Sequence, residues 1–177
     1  MKDPFPIQPI PWLQGAIQPV ADFFGFASLP LHIHEVLAGC LLYGVIYYPL
    51  SPMLSSMFFP RVYPKLPPRR KISWHAHVVS LVQSCLINAV ALYVMVFDKE
   101  RKGMDSEERI WGYTGGSGMV QGLAAGYFLW DLIVTSRNMD VFGLGTLAHA
   151  ISALAVYSLG FVSCLVSWIP AGFKFEC

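Results

Sequence analysis

Charge is scarce in this chain, and the scarcity sets its class. Asp, Glu, Lys and Arg make up 13% of the 177 residues, against about 25% in soluble domains. The formal net charge of +1 leaves no cationic footprint for a nucleic acid, so no nucleic-acid partner is expected. Cysteine is sparse as well: Cys40, Cys85, Cys164 and Cys177. None has metal-site spacing, and three lie in apolar stretches, where a free thiol behaves as a small hydrophobe. A disulfide framework is not expected. Cys177 is the last residue and cannot open a four-residue prenylation box. Also missing is a continuous apolar core behind a basic start. Pro4, Pro6, Pro9 and Pro11 break helices at that density, so no cleavable signal is expected, and the first span is expected to act as the insertion signal.

What is present instead is long apolar sequence. Val36 to Pro60, Ile72 to Phe97, Ile110 to Trp130 and Val141 to Phe173 each run without Asp, Glu, Lys or Arg. About 20 apolar residues of helix cross the ~30 Å hydrocarbon layer. The fold class is therefore all-α, a polytopic transmembrane helix bundle with about four spans. Residues 1–30 read as a Pro-rich lead-in with an interfacial helix near Ile17 to Phe26. Residues 31–59 read as the first span and its exit, with Pro49 and Pro52 ending the helix. A basic loop follows, with Arg61, Lys65, Arg69, Arg70 and Lys71. The second span is expected at about Ser73 to Phe97, the third near Tyr113 to Val134 and the fourth near Val141 to Ile169. Counting Lys and Arg on the two sides gives six against six, a tie under the positive-inside rule. The densest cluster directly precedes the second span, which favours a cytosolic placement for that loop.

Polar residues inside these stretches carry the functional expectations. On the second span Ser73, His77, Ser80, Ser84 and Asn88 share one helical face. Such a stripe is expected to face the bundle interior or a water-filled cavity, as interhelical hydrogen bonds or as the lining of a lipid headgroup pocket. On the third span Gly118, Gly122 and Gly126 form overlapping small-xxx-small units, a close helix-packing face within the chain or toward a second copy. Asp131 lies one turn past Tyr127. It reads either as a hydrated interfacial carboxylate or as a buried partner for a histidine. His149 lies in the fourth span, with Ser152 close behind. The pairs His32/His34 and His75/His77 stand two residues apart and point to different sides of a helix, so no metal site is expected, and no cofactor.

Three segments now gain meaning together: Ile72-Ser-Trp-His-Ala-His-Val-Val-Ser80, Gly126-Tyr-Phe-Leu-Trp-Asp-Leu132 and Leu147-Ala-His-Ala-Ile-Ser152. Their order and spacing resemble the TLC-domain family of multi-span membrane proteins, over roughly residues 60–161. The likeness is to the small TLC-domain proteins of lipid homeostasis more than to the ceramide synthases. It implies a bundle in the endoplasmic reticulum, membrane lipids as partners, and Asp131 and His149 facing a shared cavity as the candidate catalytic residues. Ceramide synthases carry a second histidine where this chain has Ala150, and Ala153 stands where they carry a threonine. Acyl transfer needs an activated nucleophile and an oriented base, so sphingoid-base N-acylation is the enzyme alternative rather than the primary reading. A third reading is a structural partner that packs through the glycine face. Residues 162–177 read as a non-homologous tail: Val162-Ser is what an intron-start GTRAGT encodes in frame, so the tail is expected to be translated intron.

Overall fold

Prolines and caps set the helix boundaries. The computed structural model describes residues 3–106 and 108–162, with residues 110 and 111 described through their backbone alone. Helix α1 (Pro11–Phe24) has proline in its first turn, where a missing N–H costs nothing, and ends on Gly25 at φ 72°, the left-handed conformation that glycine adopts freely. It begins six residues before the expected interfacial helix, because Pro11 opens the helix instead of breaking it.

The first long helix is longer than expected for the same reason. Helix α2 (Leu29–Val45) passes through a π-helical turn, Ile46–Leu50, directly into α3 (Ser51–Phe58). Pro49 lies in the π turn and Pro52 in the first turn of α3. The widened turn accommodates a residue that cannot donate, so neither proline ends the span.

Helix α4 (Pro68–Phe97) again starts on proline, so Arg69, Arg70 and Lys71 form its first turn and not a loop. Asp98 caps the short α5 (Lys99–Gly103), accepting from the backbone of Glu100 and Arg101. After α6 (Glu108–Trp111), Thr114 opens α7 (Gly115–Arg137) with a reciprocal cap: its Oγ1 accepts from Ser117 N at 3.2 Å, and Ser117 Oγ accepts from Thr114 N at 3.0 Å. Helix α8 (Met139–Ser158) kinks at Gly143, φ 77°, and a 3-10 turn follows at Leu159–Phe161.

Among the described residues, three helical stretches are long and apolar enough to cross a membrane: Leu29–Phe58, Pro68–Phe97 and Met139–Phe161. The expected third span corresponds to α7. At 23 residues it is long enough, but glycine, serine and glutamine make it less apolar than the other three. It is also the central element, packed against α2, α4 and α8. One core cluster joins Tyr43, Ile46 and Tyr47 to Val79 of α4 and to Trp130 and Val134 of α7. A second joins Ile33, Val36, Ala125 and Phe161, with Leu13 and Ile17 of α1 against it. Polar contacts tie neighbouring helices together at both ends of the bundle. Arg69 pairs with Asp140 at 3.4 Å at one end; at the other, Ser28 N donates to Phe161 O at 3.2 Å.

Candidate functional site

The glycines of α7 determine what meets at the centre. A Cβ on Gly118 would collide with the His32 ring, one on Gly122 would lie 2.6 Å from Glu35 Oε2, and one on Gly126 would meet Val36 O and, at 3.1 Å, Gly39 Cα. The Gly118/Gly122/Gly126 face therefore lies against α2 of the same chain. The space it leaves admits two polar side chains of α2 in place of apolar ones.

Those side chains form a hydrogen-bonded chain across the seam. His32 and Glu35 stand three residues apart, one turn of α2, with relative exposures of 2% and 0%. His32 Nδ1 lies 2.8 Å from Glu35 Oε2, and His32 Nε2 bonds the Tyr113 hydroxyl just before α7. One neutral tautomer serves both contacts: Nδ1–H donates to the carboxylate and Nε2 accepts from the phenol. Beside this chain lie His34, 5% exposed, and Asp3 from the lead-in. The ligand atoms of Asp3, His34 and Glu35 all lie within 4.8 Å of one another. Glu35 Oε1 and both His34 nitrogens make no hydrogen bond, although backbone groups of Ile7 and Leu31 lie near the ring. Sequence spacing placed His32 and His34 on different sides of the helix but could not show that Asp3, some thirty residues upstream, returns to them.

A second polar layer ties α4 to the first span. Tyr43 Oη donates to Gln83 Oε1, and both residues are buried. His75 Nδ1 lies 2.7 Å from Ser51 Oγ, and its Nε2 lies 3.2 Å from the Tyr63 hydroxyl. Trp74 Nε1 donates to Ser55 Oγ at 2.9 Å.

These contacts correct the expected orientation of α4. Its inward face carries His75, Val79 and Gln83, while His77, Ser84 and Asn88 are exposed. The exposed groups are satisfied by their own helix: His77 Nδ1 on Ser73 O at 2.7 Å, Ser84 Oγ on Ser80 O at 2.9 Å and Asn88 Nδ2 on Ser84 O at 2.7 Å. Only Ser80 of the stripe reaches another helix, with its Oγ 3.0 Å from the Tyr127 hydroxyl.

Asp131 is half-buried on α7, with Thr135 against it and His149 within electrostatic reach. His149 itself is exposed on α8, and its neighbour Ala150 is fully buried. Among the described residues, the two candidate catalytic residues are thus near one another, with Asp131 half-buried and His149 exposed. Cys40 and Cys85 are free thiols. The tail of residues 163–177 lies outside the described residues, and with it most of the segment read as translated intron.

The architecture defines an integral membrane protein, an all-helical bundle organised around a glycine-faced central helix. The TLC domain matches residues 73–173, and the chain belongs to that family. The match runs past Phe161, into the segment expected to be a non-homologous tail. The chain is 34% identical to an uncharacterized TLC domain-containing protein of Schizosaccharomyces pombe, over 93% of this chain and 54% of that protein. It is 29% identical to topoisomerase I damage affected protein 4 of Saccharomyces cerevisiae, over 84% of this chain and 52% of that protein. It is also 29% identical to TLC domain-containing protein 4-B of Danio rerio, over 64% and 40% respectively. The chain spans about half the length of the first two relatives. No solved structure matches it.

Proposed function

We propose that this protein takes part in membrane lipid homeostasis in the endoplasmic reticulum, engaging membrane lipids without turning them over. The observation that carries this reading is the exposed polar face of α4. His77, Ser84 and Asn88 stand on the outside of a 30-residue apolar helix. Polar side chains at membrane depth are rare and tend to mark pathways or ligand contacts, and this row could meet a lipid's polar groups without breaking any interhelical bond. A photoactivatable lipid incubated with the protein in nanodiscs should label α4, and a His77→Ala/Ser84→Ala/Asn88→Ala variant should lose most of that label. Equal labelling of both proteins would remove the support. Microscopy of the tagged protein against organelle markers tests the compartment.

Sphingoid-base N-acylation stays as a second reading because Asp131 and His149 lie within electrostatic reach of each other. Against it, Ala150 supplies no second base, and Asp131 alone gives His149 an orienting partner without a further acid. Liposomes holding this chain, a sphingoid base and acyl-CoA should form no ceramide beyond a His149→Ala control. Ceramide above that control would establish the enzyme reading. A partner that packs through Gly118, Gly122 and Gly126 would have to displace α2, which already fills that face.

A further inference from the structure

The cluster at the start of α2 is built unlike the rest of the bundle. Several buried polar side chains elsewhere find partners: Tyr43 with Gln83, His75 with Ser51 and Tyr63, His32 with Glu35 and Tyr113. At His34 and at the second oxygen of Glu35 no side-chain partner is found. His34 is 5% exposed, with only backbone groups of Ile7 and Leu31 near its ring nitrogens, and Glu35 is fully buried with Oε1 unbonded. Buried polar groups almost always have a partner, because leaving one without costs its full desolvation. A buried imidazole and a half-bonded buried carboxylate converging on a second carboxylate, Asp3, are a pattern that one cation resolves at once.

We propose that Asp3, His34 and Glu35 form a binding site for a divalent transition-metal ion of the zinc class. The donor set is one imidazole nitrogen and two carboxylate oxygens, which suits zinc and its neighbours. The donors lie within 4.8 Å of one another, with His34 Nε2 at 4.0 Å from Glu35 Oε1. Zinc–ligand bonds of about 2.0–2.2 Å require these separations to close by about 1 Å, within the reach of side-chain torsions. The charges balance as well: two carboxylates and a dication sum to zero, which suits a site where two of the three donors are buried.

The surrounding groups have the form of a supporting shell. Glu35 uses its other oxygen, Oε2, to accept from His32 at 2.8 Å, which fixes the carboxylate plane, and hydrogen bonds of that kind orient metal ligands. The Phe5 ring meets His34 edge-on at 5.5 Å and closes the site on the lead-in side. Gly122 holds Glu35 in place, since any side chain there would strike it. Three protein ligands leave a further coordination position for water or a ligand oxygen. Holding the ion would also fasten residues 3–5 onto α2, giving the lead-in a defined position.

A proton shared between Asp3 and Glu35 is the rival way to relieve the same cluster, and metal titration separates the two. The full chain in nanodiscs is stripped with a chelator, and Zn²⁺ alone is added back against a chromophoric competitor, with bound metal counted after desalting. About one zinc per chain is expected, with affinity at least ~10-fold weaker in Asp3→Asn, His34→Gln and Glu35→Gln and unchanged in His77→Ala and His149→Ala. X-ray absorption should show nitrogen and oxygen neighbours at about 2.0–2.2 Å. Asp3 lies outside every helix, so Asp3→Asn tests the site without disturbing the bundle. Zinc well below one per chain, or unweakened binding by Asp3→Asn, would overturn the assignment.

Discussion

Gly122→Ala tests the packing of α7 on α2 more sharply than any larger substitution. In an exposed helix the change stabilises by up to about 1 kcal/mol, because alanine is the better helix former. Here the new Cβ would lie 2.6 Å from Glu35 Oε2 and 3.0 Å from Glu35 Cβ. The second distance matters more, since a Cβ is fixed to its backbone and cannot swing away. Either the helices part or Glu35 turns and gives up its 2.8 Å contact with His32. Overpacking costs typically 1–3 kcal/mol, and a hydrogen bond to a charged group contributes about 1.5–3 kcal/mol. Partial relaxation places the expected loss at roughly 2–4 kcal/mol relative to a glycine replaced in open space. Gly44→Ala supplies that reference: it lies on α2, and a Cβ there meets nothing within 4 Å. Reversible unfolding of both variants by SDS in mixed micelles, followed by circular dichroism, measures the difference. Equal stability of the two would refute the close crossing at Gly122.

Other outcomes follow from single contacts. Tyr43→Phe strands the buried Gln83 carbonyl and should cost about 1–3 kcal/mol in the same unfolding assay, whereas Tyr48→Phe, at 61% exposure, should be near neutral. Thr114→Ala removes the reciprocal cap of α7 and should cost about 0.5–2 kcal/mol, with Thr114→Ser recovering most of it. Glycosylation tags should be modified when placed within residues 1–30 and unmodified when placed in the 61–67 segment, because the basic first turn of α4 favours the cytosol; the reverse pattern would invert the topology.

The helices were legible wherever apolar composition alone determines them. Runs without charge located α2, α4 and α8, because a membrane span is fixed by length and apolarity. Two features escaped for opposite reasons. Pro49 and Pro52 read as a stop, but the π turn and the first turn of α3 absorb both missing donors. Tyr113 to Val134 does form a helix, but that it is the central one was not legible: its Gly118, Gly122 and Gly126 set it against α2. The glycine spacing was visible in the sequence; the identity of the helix it meets was not, because periodicity describes one surface and not its partner.

The polar residues follow a related rule. Ser73, His77, Ser84 and Asn88 do share a face, yet that face points outward. Side chains of this kind can bond the carbonyl four residues earlier on their own helix, and His77, Ser84 and Asn88 do so. A group satisfied by its own helix needs no neighbour, so its periodicity says little about which side is inside. Gln83 and His75 bond other elements and point inward, Gln83 to Tyr43 and His75 to Ser51 and Tyr63. His32 and Glu35 belong with them, since a carboxylate and an imidazole together need more partners than one turn of helix offers. The better inward marker in a chain of this kind is therefore the polar group its own helix cannot satisfy. By that measure Glu35, with one oxygen on His32 and the other unbonded, is the strongest pointer to the interior site.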